Sequence, residues 1–150
     1  MTAPTMRDVY STVTDALAGI QGLAPDRVFH GHVPDQVPED SAGRVLPYVA
    51  VWPRVPVPVD DEPVNQVQSR EGLAFLFQTT CVAADIFDQL YPMVDAVADR
   101  LTGLQVGSGV VRHESSLQSS MFLGGGEFLV DPDVSPARYF VPLRWYLTTQ

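Results

Sequence analysis

His30 and His32 lie one residue apart in Arg27-Val28-Phe29-His30-Gly31-His32. Residues two apart on a strand point to the same face. The spacing would therefore set two imidazoles side by side, as two ligands of a zinc site are. A closed site needs two more ligands. His113 and Asp35 are the available candidates, and no spacing ties either to the pair. The segment His113-Glu114-Ser115-Ser116 holds the atom types of nucleophilic catalysis, but neighbouring strand residues face opposite ways, so His113 and Glu114 would not cooperate. No G-x-S-x-G elbow occurs.

The other candidates fail in similar ways. Cys81 sits in the apolar run Phe77-Gln78-Thr79-Thr80-Cys81-Val82, where a cysteine packs as a small hydrophobe. Gly107-Ser108-Gly109 and Gly124-Gly125-Gly126 lack the Lys-Ser/Thr of a phosphate loop and precede no helical pattern. Asp60-Asp61-Glu62 could contribute to a cation site, but three adjacent acids beside prolines read as a solvated loop, and Asp131-Pro132-Asp133 as a turn. The expectation is a protein that is not an enzyme, with no catalytic residue, no cofactor and no metal.

Composition narrows the class further. The chain of 150 residues, 45% hydrophobic, suits one domain with a real core. Eighteen acidic against nine basic residues give a net charge of -9. A chain so acidic lacks the cationic footprint of a nucleic-acid binder and is poorly suited to an anionic membrane surface. A single cysteine excludes an intramolecular disulfide. The N-terminus lacks the pattern of a signal peptide. No apolar run approaches the roughly 20 residues of a membrane helix. The expected location is the cytosol, or a particle assembled there.

The elements that would position these residues follow from periodicity. Met6, Val9, Tyr10, Val13, Ala16, Leu17 and Ile20 recur at helical spacing, giving a helix over about Thr5–Ile20 with Thr5 as N-cap. Arg27–His32 reads as a short strand, closed by a Pro- and acid-rich loop from Pro34 to Gly43. Pro47–Trp52 is a second strand. Val55-Pro56-Val57-Pro58-Val59 cannot be helical, and each proline removes a ladder donor. The stretch at about 53–64 is extended, as a polyproline-like arm or a frayed edge; we read it as an arm packing on something, with a neighbouring subunit as the candidate.

Gly72–Val82 is apolar on both phases, as a central strand covered on both sides would be. Ile86, Leu90, Met93, Val94, Val97 and Leu101 form the stripe of a second helix, capped by Asp85 or Asp88, with Pro92 in its first turn or at a kink. Val110–Ser115 and, more weakly, Phe128–Val130 read as strands. In the last segment Tyr139, Val141, Leu143, Trp145 and Leu147 alternate with Arg138, Phe140, Pro142, Arg144 and Tyr146. One strand face therefore lies in the core, and Pro142 suits an edge or a bulge. The order α-β-β-β-α-β-β-β predicts a single α+β domain, an antiparallel-dominated sheet with two helices packed on it. Tyr48, Trp52, Phe140 and Tyr146 fall on the non-core phase, which is where protein–protein contacts draw their aromatics.

Taken together, the chain resembles the tail terminator (tail completion) proteins of long-tailed bacteriophages. The features are the opening Met6-Arg7-Asp8-Val9-Tyr10 through Leu17-Ala18-Gly19-Ile20, the Pro-rich excursion after Trp52, the unit from Phe75-Leu76-Phe77-Gln78 into Ala96-Val97-Ala98-Asp99-Arg100-Leu101, and the closing strand Tyr139–Leu147. The run Val55-Pro56-Val57-Pro58-Val59 has no counterpart in that pattern. The resemblance implies a structural virion protein: a ring, usually of six copies, that caps the tail tube and joins it to the head-tail connector protein. DNA would pass through without specific binding. On this reading Val55, Pro56, Val57, Pro58 and Val59 are candidates for the subunit interface, and Asp60, Asp61 and Glu62 for an acidic lumen that repels phosphate. The rival readings are another neck or head-closure component, and a small-ligand domain using His30, His32 or His113.

Overall fold

The computed structural model describes residues 4–58, 73–114, 129–131 and 138–149, the strand residues 57–58 and 129–131 by their backbone. Helix α1 (Met6–Ala18) begins where the sequence reading put it. Thr5 accepts the Asp8 N–H at 3.2 Å, while the Asp8 carboxylate takes the Thr5 N–H at 2.9 Å and its hydroxyl at 2.7 Å. This reciprocal box satisfies donors that the first helical turn leaves without partners. Those bonds from Thr5 hold the Asp8 carboxyl below its usual range. Val9, Val13 and Leu17 on the inner stripe are fully buried.

The strands are β1 (Val28–His30), β2 (Tyr48–Pro53), β3 (Val57–Pro58), β4 (Leu73–Ala83), β5 (Gln105–Val106), β6 (Gly109–His113), β7 (Leu129–Asp131) and β8 (Arg138–Thr148), with helix α2 (Tyr91–Leu101) between β4 and β5. They form one sheet in the order β1-β2-β4-β8-β6-β5, with β3 added to β4 and β7 to β8. The α+β class with two helices therefore holds. Two details of the expected order do not. Short strands β3 and β5 are added to it, and the sheet is mixed, because β1 runs parallel to β2. A parallel neighbour needs a crossover, which a short turn cannot supply. Here it is the chain between His30 and Tyr48.

The helices cover one face only. By register Phe75, Phe77, Thr79 and Cys81 of β4 share that face with Val141, Leu143, Trp145 and Leu147 of β8. They pack with α1 and with Leu90, Met93, Val97 and Leu101 in one core. Its one buried hydroxyl in β4 is satisfied: Thr79 Oγ1 receives the Trp145 indole N–H at 2.9 Å. Gly109 is required by a close approach, since a Cβ there would come within 2.5 Å of Leu147 Cδ2.

Before α2 the chain makes one wide turn, Ile86–Leu90, in which the Leu90 N–H reaches back five residues to the Asp85 carbonyl at 3.0 Å. Asp85 caps it by accepting the Asp88 N–H at 2.7 Å. Pro92 falls in the first turn of α2, where its missing N–H leaves no gap.

Two register shifts shape the sheet edges. Between the Pro53–Phe77 and Val57–Ala74 pairs, the outer strand advances four residues while β4 advances three. The extra residue is a bulge at 54–56. Of the run read as extended over about 53–64, Pro53 closes β2 and Val57–Pro58 pair with β4; Val59, Asp60, Asp61 and Glu62 lie outside the described residues. On the other side, β6 in its own register would bring Gln118 opposite Phe140, but Leu129 is there, so eleven residues are inserted between β6 and β7. Pro142 sits in the resulting window, opposite Thr80 of β4. Strand β8 is interior, between β4 and β6, so of the two placements that suit Pro142, an edge or a bulge, the edge does not hold. Among the described residues, the pairs of β8 with β6 and with β7 stop short of Pro142.

Candidate interaction surface

The second sheet face is where the structure places most of the residues left over from the core. Register aligns Tyr48 and Trp52 of β2, Leu76, Gln78, Thr80 and Val82 of β4, and Phe140, Arg144 and Tyr146 of β8 on it. No helix among the described residues covers this face. The chain between β1 and β2 folds over one end, where Val45, Tyr48 and Val82 form a second small core with Phe29, Val33, Val37 and Phe140 around them. Beyond that cover lies an apolar groove of about 360 Å³, walled by Val33, Ala50, Trp52, Val82 and Phe140, with Tyr48, Thr80 and Arg138 completing its lining. Trp52 keeps 37% of its surface exposed. Arg138 Nη1 donates to the Tyr48 hydroxyl at 3.1 Å. A neighbouring hollow of about 290 Å³ holds Arg54, Gln78, Glu114 and Arg144.

Charge is divided between the two sides. Arg54, Arg138 and Arg144 line these two hollows, and Arg112 pairs with Tyr146 on the same face. The helix layer carries Asp8, Asp15, Asp85, Asp88, Asp95 and Asp99 against Arg7 and Arg100. Among the described residues, four arginines thus gather on the sheet face, with Glu114 beside Arg54 and Arg144. The helix layer also exposes apolar rings: Phe87 is 76% exposed and meets Tyr91 edge-on at 5.2 Å.

The four non-core aromatics do share a face, as their alternation suggested, but Tyr48 is buried there by Arg138 and the Phe29 ring. Of the interface candidates, Val55 is 76% exposed and Pro56 half-buried, while Val57 and Pro58 pair with Ala74 and Leu73. His30 and His32 meet through backbone, the His32 Nδ1 lying 3.1 Å from the His30 carbonyl oxygen. Strand β1 ends at His30, and Gly31 at φ 73° turns the chain, so His32 is off the strand and packs its ring on Phe29. That overturns the shared-face geometry expected of the pair. His30 lies edge-on to Tyr10 and His113 to Trp145. Among the described residues, no three of His, Cys, Asp and Glu gather as a metal site would require. Asp131 belongs to β7 rather than to a turn; Ser115, Ser116, Pro132, Asp133 and Gly124–Gly126 lie outside the described residues.

Cys81 is fully buried, and burial pushes its thiol up to about 12. A neutral thiol is a poor nucleophile. In the unfolded chain the thiol ionises at its ordinary value of 9.0. Its contribution to stability is thus constant below pH 9.0 and is lost as pH rises toward about 12. A thiol reagent at neutral pH is expected to label Cys81 only at the rate of unfolding, with denaturant raising labelling to that of a free thiol. Rapid labelling of the native protein would contradict this.

Sequence reasoning missed Phe87 and the shared face of the arginines. Arg138 and Arg144 were legible from the phase of the last strand. Phe87 sits beside Ile86 of the helical stripe but off it, a signal that exposes the ring without saying why. Neither a protein-family model nor a curated protein matches the chain.

Proposed function

We propose that the chain is a structural subunit that assembles with copies of itself into a ring, as a tail terminator capping a phage tail tube and joining it to the head-tail connector. The observation that carries the assembly half is the pair of unlike surfaces, an arginine-bearing grooved sheet face and an acidic helix layer with exposed rings. A cyclic assembly needs two different, complementary surfaces on each copy, and one chain here bears both. The assignment to a tail rests on the resemblance in order and spacing of elements. The acidic residues Asp60, Asp61 and Glu62 are assigned to the lumen, where like charge lets DNA pass without adhering. Val55 and its neighbours are assigned to the subunit boundary.

Purified tail tubes mixed with the protein distinguish this reading from a head-closure role. Electron microscopy is expected to show added density at one end of each tube, with tube elongation halted. Density absent from tube ends, or scattered along their length, would reject the terminator assignment.

A further inference from the structure

We infer that the groove on the open sheet face receives the Phe87–Tyr91 corner of a second copy of this chain. The inference deepens the ring reading by naming the two surfaces that meet. Phe87 belongs to the helix layer and the groove to the opposite face, so the contact is between copies and joins unlike surfaces. Size agrees: a cavity of about 150 Å³ accommodates a benzene-sized ring, and the groove of 360 Å³ has room for the Phe87 and Tyr91 rings together. Chemistry agrees as well. Phe87 is exposed as few large apolar side chains are, and the groove walls are Val33, Ala50, Trp52 and Phe140.

Charge selects a second copy over an unrelated apolar partner. Asp88 flanks Phe87, and Asp95 lies one turn beyond Tyr91 on the exposed side of α2. Arg138 stands in the groove lining and Arg54 next to it, two residues from Trp52. An apolar knob flanked by Asp88 and Asp95 thus meets an apolar hollow flanked by Arg138 and Arg54, with Glu114 farther along beside Arg54. Such pairing orients the approach and rejects the reverse face, where Asp would meet Asp. Because each copy offers one knob and one groove, the contact propagates head to tail.

The test uses two variants of the full chain. Phe87→Ser removes the knob and leaves the groove; Trp52→Ser damages the groove and leaves the knob. Each alone is expected to remain monomeric under conditions where the parent assembles. Mixed in equal amounts, they are expected to form a species of twice the chain mass and nothing larger, since one intact knob and one intact groove remain. Arg54→Glu, on an exposed side chain, replaces Trp52→Ser if the latter lowers the melting temperature. Assembly of Phe87→Ser equal to the parent overturns the contact and leaves the ring reading standing. A mixture that stays monomeric overturns it too, because the intact knob of one variant and the intact groove of the other would then not be meeting. A parent that never assembles counts against the ring itself.

Discussion

Replacing Trp145 with alanine is expected to cost about 3–5 kcal/mol, measured as the shift in denaturant midpoint at unchanged slope. Trp145 is fully buried, lies in the longest strand pair opposite Phe77, and gives its indole N–H to Thr79. Truncation removes the largest fully buried side chain and leaves a cavity between the sheet and the helices. It also leaves the Thr79 hydroxyl without its donor in the core, which carries its own penalty. Against a typical total of about 5–15 kcal/mol, the loss is a large share. Trp145→Phe keeps most of the volume but not the N–H, and is expected to fall between the two. A change below about 1 kcal/mol for the alanine variant would mean that this core is not packed as described.

Tyr10→Ala is expected to be nearly as damaging, at about 3–5 kcal/mol, for a different reason. The ring is buried from α1 against Phe77 in an edge-on contact at 5.9 Å. Its hydroxyl donates to the Arg54 carbonyl at 3.0 Å and accepts the Arg54 N–H at 3.2 Å. These are the backbone groups of the bulge between β2 and β3, which has no ladder partner for them. The ring therefore ties α1 to the edge where the Pro-Val run begins. Tyr10→Phe separates the two contributions: it is expected to cost about 1 kcal/mol, the size of a net hydrogen bond, and to speed amide exchange at Arg54. Burial raises the Tyr10 hydroxyl's pKa above 10.0, partly offset by the Arg54 N–H.

Much of this fold is legible in the sequence because it is local. Thr5 and Asp8 announce the start of α1, and the alternation from Tyr139 to Leu147 assigns every β8 side chain to its face. Asp85 and Pro92 mark the entry to α2. What local pattern could not provide is pairing. Nothing in Val28–His30 says that its neighbour is β2 and that the two run parallel. Alternating Val and Pro at 55–58 reads as an arm because proline removes donors, yet one bulge and two paired residues keep the run on the sheet. Likewise, Pro142 suits an edge or a bulge by its lost donor, and nothing local says that β8 lies between β4 and β6. His30 and His32 were separated by a single positive φ at Gly31, a backbone choice that periodicity does not report.

The same distinction applies to function. Side-chain types offer His30, His32 and His113 as candidates, and the structure shows which ring each one meets: Tyr10, Phe29 and Trp145. The groove appears only when β2, β4 and β8 are laid side by side. The proposed assembly would therefore use a surface that three distant segments build together. The most direct measurement is the mass of the native protein by sedimentation over a wide concentration range, with electron microscopy of the same sample. The expected result is one closed species at an integral multiple of 16.4 kDa, seen as a ring with a central hole. A single species at 16.4 kDa throughout, with no ring in any field, would contradict the account.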